Sequence, residues 1–173
     1  MTAAAITATS ISTADFRKAM RQLAGGVSVI TVGRGDERTG LTVTSVSSLA
    51  AEPPAIIFCI NRSSSSWEVL RQQRVFAVNV LPPSLEAVAD RFSGRGGLKG
   101  QDRYDGANWS TIATGASVLE GAIAALDCEL EELIERHTSA IVIGRVIAVR
   151  VKNENDTPEA LAYWHGAYTP LHR

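Results

Sequence analysis

The feature that most constrains this chain is its succession of short β-branched runs. Val27 to Val32, Leu41 to Val46, Ala55 to Ile60, Val75 to Leu81 and Ile141 to Val151 are each rich in Val, Ile and Thr. Gly, Pro or hydroxyl residues close them, and this pattern reads as strands. The first two runs flank the polar turn Gly33 to Gly40 and predict an antiparallel hairpin. The third is apolar on both faces and predicts a central strand. Leu161 to Tyr168 reads as a last strand with a closing turn.

Helices are fewer. Ser12 or Thr13 can cap one, Asp15 sits in its first turn, and Phe16, Met20 and Leu23 recur at helical spacing before Gly25-Gly26 ends it. The spacing predicts an amphipathic helix. A short helix is expected near Trp67 to Leu70, and another from a Ser84 cap to about Phe92. Residues 93–110 are Gly-rich and polar and read as a long loop or flap. Residues 120–136 support two readings. Ile123, Leu126, Leu130, Leu133 and Ile134 fit a helix, whereas Leu126, Cys128 and Leu130 alternating with Asp127, Glu129 and Glu131 fit a strand. Helices do not alternate regularly with strands, which disfavours a doubly wound parallel sheet. The expected architecture is mostly β, an antiparallel barrel or sandwich with a few peripheral helices.

Length suits one domain with a real core: 173 residues, where ~150 residues already bury about two thirds of the unfolded surface. Residues 1–11 read as a loose tail and 12–173 as the domain. Lys and Arg number 17 against 18 Asp and Glu, a net charge of −1. That balance, without aromatic–basic interleaving on the strands, argues against nucleic acid. No apolar run approaches the ~18 residues of a membrane span, and the N-terminal stretch lacks the basic and apolar regions of a secretory signal. Cys59 and Cys128 are too few for a disulfide framework and point to a reducing cytoplasm. No ligand cluster suggests a metal.

Familiar catalytic signatures are missing. Gly94-Arg95-Gly96-Gly97-Leu98-Lys99-Gly100 fits neither a dinucleotide nor a P-loop spacing. What remains is a concentration of hydroxyls. Thr42, Thr44, Ser45, Ser47 and Ser48 lie on one strand and its end, and Ser63, Ser64, Ser65 and Ser66 follow the next strand. If those strands pair, both groups meet at one sheet end and form a neutral anion site suited to phosphate, with Arg62 or Arg95 supplying charge. The alternative is plain propensity, since strands favour Thr and helix starts favour Ser. His137 precedes a strong strand and marks either a cleft mouth or an ordinary loop. Trp164 and Tyr168 read as core or interface aromatics. The run Glu129, Glu131, Glu132, Glu135 reads as a solvated face.

The ordered set of motifs nevertheless resembles one family. Gly40-Leu41-Thr42-Val43-Thr44-Ser45-Val46-Ser47-Ser48, Pro53-Pro54 and Cys59-Ile60-Asn61-Arg62-Ser63-Ser64-Ser65 are similar to the flavin-binding stretch of the flavin reductase-like family. Phe76 to Leu81, Phe92-Ser93-Gly94, Trp109, Thr114-Gly115-Ala116, Leu126-Asp127-Cys128, His137-Thr138, Ile143 to Val146 and Tyr163 with Gly166-Ala167-Tyr168 follow in the family's order, over roughly residues 14–171. The resemblance implies an antiparallel split β-barrel that binds flavin, and a strand at 120–136. It implies a homodimer with flavin near the subunit interface, and reduced FMN or FAD delivered to a partner oxygenase. Corrinoid reductases share the family, so a tightly held FMN serving cobalt is the second reading. A flavin binder without turnover is the third.

Carried over by position, Thr42, Val43, Thr44 and Ser45 line the isoalloxazine and ribityl chain. Ser47 and Ser48 approach its phosphate end. Cys59, Ile60 and Asn61 offer backbone contacts. Arg62 and Ser63, Ser64, Ser65 and Ser66 hold phosphate, and Phe92 and Arg95 close over the ligand. His137, preceded here by Glu135-Arg136 instead of the family's usual Gly-Asp or Gly-Thr, sits with Tyr168 by the nicotinamide of NADH or NADPH. Hydride passes from nicotinamide to flavin N5, so no catalytic side chain is required. At this length both cofactors must share one cleft.

Overall fold

The computed structural model describes residues 11–152 and 159–172. The expected tail at 1–11 lies, but for Ile11, outside the described residues. Helix α1 (Thr13–Met20) is capped by Ser12, whose hydroxyl accepts from the Asp15 N–H at 3.0 Å. The strands that follow are β1 (Gly25–Gly26), β2 (Ser28–Val32), β3 (Thr39–Val43), β4 (Ser47–Ala51) and β5 (Pro54–Asn61). Helix α2 (Trp67–Gln73), strand β6 (Val75–Val80) and helix α3 (Glu86–Phe92) come next. Two short strands, β7 (Trp109–Ser110) and β8 (Val118–Leu119), precede the long hairpin of β9 (Ala124–Arg136) and β10 (Ser139–Val151). Strands β11 (Glu159–Trp164) and β12 (Ala167–His172) end the described chain.

Seven strands form one antiparallel sheet in the order β3-β2-β6-β9-β10-β5-β4. The predicted hairpin is β2 with β3, in register from Ser28 opposite Val43 to Val32 opposite Thr39. Residues 124–136 are strand. Cys128 and Leu130 point into the main core, while Ala125 and Asp127 are buried on the opposite face beneath residues 113–118. Burial on both faces decides against the helix that local propensity favours.

The sheet curls around Ile30, Phe58, Ile60, Leu70, Phe76 and Val142, with Phe58 and Phe76 edge to face at 5.3 Å. Gly144 sits at a register shift of β10, and a Cβ there would stand 2.3 Å from the Phe76 ring. The curl brings the sheet's two ends together without pairing them as strands. The Ser66 hydroxyl donates to Gly40 O at 2.9 Å, and the Ser45 hydroxyl accepts from Cys59 N–H at 3.0 Å. This is a split barrel, closed by side chains and not by a continuous backbone ladder.

Four sequence expectations change. Ser84 does not cap α3: Pro82-Pro83 start a 3₁₀ turn over Pro83–Leu85, and Leu85 occupies the cap position. Residues 93–110 are not a free flap, because Tyr104 is buried beside Phe92 and Trp109 and its hydroxyl donates to Thr39 O at 2.6 Å. Strand β5 is not central. It lies one strand from the edge, β4 covers only its first half, and Cys59 is exposed. Helix α1 is amphipathic as expected but ends at Met20, before Leu23 and Gly25-Gly26, and it buries nothing: Phe16, Met20 and, beyond the helix, Leu23 stay 53%, 46% and 63% exposed.

Candidate active site

The split between β3 and β5 positions the candidate residues. Thr42 and Val43 end β3, and Thr44 and Ser45 continue past it. The Thr42 hydroxyl donates to Ala89 O at 2.6 Å and so braces α3, while Thr44 is exposed beside it. Ser45 crosses the split to Cys59. Backbone groups alternate in direction along a strand. Asn61, two residues beyond Cys59, therefore presents its backbone on the same side. Strand β4 pairs with β5 only from Pro54 to Ile57, so it does not cover that edge at Cys59 and Asn61.

The hydroxyl turn that follows is largely self-satisfied. Asn61 Oδ1 accepts from the Ser63 N–H and hydroxyl, both at 2.9 Å, and the Ser64 hydroxyl accepts from Ser66 N–H at 3.3 Å. Ser65 is exposed and keeps its hydroxyl free of protein partners among the described residues. Ser66 is fully buried and spent on Gly40. Arg62 turns towards the β9–β10 turn. It pairs with Glu135 at 2.8 Å and donates to His137 O at 3.2 Å. His137 opens a two-residue turn at φ 52°, exposed, a backbone region in which His is enriched among non-glycine residues.

At the other end of the split a cavity of about 250 Å³ is lined by Thr42, Val43, Thr44, Ser93, Arg95 and Tyr168, with Val27 and Tyr163. Arg95 reaches Tyr163 Oη at 3.2 Å and Asp90 at 3.4 Å, and its guanidinium stands 6.0 Å from the Tyr168 ring centre. Burial, reinforced by the nearby Asp90 carboxylate, pushes the Tyr168 hydroxyl up to about 12. Tyr168 is thus a neutral hydrogen-bonding group at ordinary pH. One line of contacts leads from Arg95 and Tyr168 through Thr44 to Ser45 and Cys59, then along β5 to Arg62 and His137, so His137 and Tyr168, expected side by side, fall at its two ends.

Besides the buried Ser66, four predicted residues do not face this line. Phe92 is 1% exposed and packs on Tyr104 and Trp109, so it supports the cavity wall from beneath. The Ile60 side chain is buried in the main core, leaving only its backbone. Ser47 and Ser48 stand on the exposed edge strand β4 and line neither this cavity nor the larger groove beside it. Ser47 and Ser48 lie on β4, which pairs with β5, but β3 with Thr42 does not pair with β5; Ser45 reaches Cys59 because the sheet curls. The acidic run is a solvated face as expected, and two of its members carry surface ion pairs, Glu135 with Arg62 and Glu129 with Arg145 at 2.7 Å. Sequence reasoning assigned Tyr163 and Ser93 no site role. Their signal was membership of the matching motifs Phe92-Ser93-Gly94 and Tyr163 with Gly166-Ala167-Tyr168.

A pocket of hydroxyls beside an aromatic–arginine wall in a split barrel is a cleft suited to a flat, polar, phosphate-bearing ligand. Residues 20–172 match the flavin reductase like domain, and the chain belongs to that family. It is 34% identical over 169 residues to the FMN reductase (NADH) RutF of Yersinia enterocolitica, covering 98% of this chain and 90% of that one. BorF, the flavin reductase component of a bacterial two-component tryptophan halogenase, superposes with a TM-score of 0.84 at 28% identity, covering 94% of this chain and 99% of that one. SgcE6, an NADH:FAD oxidoreductase of Streptomyces globisporus solved with NAD and FAD fragments, gives a TM-score of 0.79 at 27% identity over 90% of each chain.

Proposed function

We propose that this protein is an NADH:flavin oxidoreductase that reduces FMN, with FAD as the alternative acceptor, in the cleft along the split. The observation that carries the reading is the Ser45–Cys59 hydrogen bond, which joins the β3 hydroxyls to the open edge of β5 in one surface. The names of the relatives support the choice of NADH and FMN.

The residues present fit such a ligand. The β5 edge at Cys59 and Asn61 suits the polar edge of a flat ring, although Cys59 N–H is given to Ser45 and Asn61 C=O accepts from Ser64 N–H. Thr44 and Ser65 offer unspent hydroxyls. Arg95 and Tyr168 wall the ring's far end. A bound flavin supplies the electron-accepting ring system. The chain's work is to hold nicotinamide and flavin in near-attack contact and to exclude water. His137, at the opposite end of the line, positions the nicotinamide. Arg62 contributes less to phosphate than its charge suggests, because Glu135 already engages it.

A homodimer that passes reduced flavin to an oxygenase completes the reading. Ile147, Val149 and Val151 form an exposed apolar stripe on β10 beyond its last pairing with β5 at Arg145, a face suited to a second copy. The partner relation of BorF to its halogenase supports the transfer step. The two free cysteines fit a reducing cytoplasm, and residues 12–173 act as one unit.

The test is NADH and NADPH oxidation with FMN, FAD, riboflavin and a Co(II) corrinoid as acceptors, with gel filtration of the purified protein. Turnover with FMN and loss of yellow colour on the column are expected. Turnover with the corrinoid alone, or flavin binding without NADH oxidation, overturns the proposal.

A further inference from the structure

Ile60, Ala140 and Glu135 stand opposite one another on β5, β10 and β9. Directly opposed residues share a face of the sheet, and Ile60 and Ala140 are buried in the main core. Glu135 therefore carries the core-facing row out to the rim of the barrel. Arg62, two residues beyond Ile60, meets it there at 2.8 Å. The neighbouring turn holds Arg62 twice more: its N–H donates to Thr138 O at 2.9 Å and its guanidinium to His137 O at 3.2 Å. Arg136, the next cation along, bends back onto Glu135 O at 2.7 Å.

This arrangement strips charge and donors from the hydroxyl turn beside it. An ionised phosphate accepts hydrogen bonds and gains most from charged donors. Ser63 and Ser66 have already given their hydroxyl protons to Asn61 Oδ1 and Gly40 O. Arg62 adjoins the turn, but a carboxylate at contact distance cancels its charge and repels a second anion. Arg95, at the far end of the cleft, is likewise paired, with Asp90 at 3.4 Å. What the cleft offers a flavin freely is its aromatic wall and the unspent hydroxyls of Thr44 and Ser65.

We propose that Glu135 is a positioning residue that sets acceptor specificity. By holding Arg62 it withholds positive charge from the flavin phosphate, so the protein selects its acceptor by ring and ribityl chain and takes a phosphate-free flavin nearly as well as FMN. The inference rests on the flavin reductase reading and goes beyond it in naming the acceptor class and the residue that sets it. Glu135→Gln, which frees Arg62 and removes the repelling carboxylate, should create the phosphate preference that the parent lacks.

The proteins to test are the full chain and its Glu135→Gln, Arg62→Gln and doubly substituted forms, both positions being exposed. Fluorescence titration gives Kd for FMN and for riboflavin at low and at physiological salt. The parent should prefer FMN by less than about tenfold, the discrimination that one fully made charge-assisted hydrogen bond supplies. In Glu135→Gln the FMN Kd should fall about three- to fivefold with riboflavin unchanged, and the gain should shrink as salt rises. Arg62→Gln should move the FMN Kd less than about twofold in the parent yet abolish the gain in the double variant. An ion pair that merely braces the two turns would shift both flavins together, and that result overturns the proposal. So does a parent preference of about tenfold or more, an unchanged FMN Kd in Glu135→Gln, or a loss of FMN binding of about tenfold in Arg62→Gln alone. The titrations need no NADH, so failure of the flavin reductase reading is visible separately as absent NADH oxidation by the parent protein.

Discussion

Replacing Ser45 by Ala removes the hydroxyl that joins the end of β3 to the β5 edge at Cys59, and leaves the Ser66–Gly40 tie in place. The bond is neutral, 3.0 Å long and exposed. Such a bond contributes about 0.5–1.5 kcal/mol net, and water can satisfy the Cys59 N–H once the hydroxyl is gone, so the stability loss falls near the lower bound. A loss of about 0.5 kcal/mol lowers Tm by only about 1–2 °C in a chain of this size. Ligand affinity should respond more. If flavin lies across both ends of the split, freeing them adds an ordering cost to binding, and Kd for FMN rises about three- to tenfold. Fluorescence quenching of FMN measures Kd, and a thermal melt measures the fold. Ser45→Thr keeps the hydroxyl and should bind as the parent does. An unchanged Kd in Ser45→Ala, or equal weakening in Ser45→Thr, would refute the reasoning.

His137→Ala should raise the NADH KM several-fold and leave the FMN Kd within about twofold, since the residue caps the nicotinamide end of the line; steady-state kinetics beside an FMN titration decide it, and equal effects on both ligands would remove the role. Gly144→Ala places a methyl 2.3 Å from Phe76 in the core. Overpacking of this kind costs about 1–3 kcal/mol, so the urea midpoint should fall, and a midpoint equal to the parent's would show that the ring moves freely. Tyr168 is held protonated to about 12, against an ordinary value of 10. Its contribution to stability is therefore full below about pH 10 and lost as pH rises through about 12. The alkaline limb of a stability–pH curve should flatten in Tyr168→Phe, and an unaltered limb would contradict the burial of that hydroxyl.

Local pattern carried much of the architecture. β-branched runs and their Gly and Pro boundaries placed β2, β3, β5, β6 and β10, because strand propensity and turn chemistry act within a few residues. It failed where a second layer intervenes. Asp127 looks like the solvent side of an alternating strand, yet it is fully buried and accepts from Ala113 and Thr114 N–H at 2.7 and 2.9 Å. Phe92 belongs to a matching motif but packs inward, because the 3₁₀ turn over Gly100–Tyr104 delivers Tyr104 and then Trp109 against it.

The candidate site divides along the same boundary. Residue order alone singled out its hydroxyls with Arg62 and Arg95, while His137 and Tyr168 entered the site through the family resemblance, which implied a flavin and a nicotinamide in one cleft. How those residues meet was decided by tertiary structure. Strands β3 and β5 stand near opposite ends of the seven-stranded sheet, and only its curl sets Ser45 on Cys59. Arg62 looked free to hold phosphate until the β9–β10 turn brought Glu135 to it. Propensity and spacing are properties of neighbours in sequence. Which hydroxyl is spent, which arginine is neutralised and which edge stays open depend on residues dozens of positions apart, and those are chosen by how the sheet closes around its core.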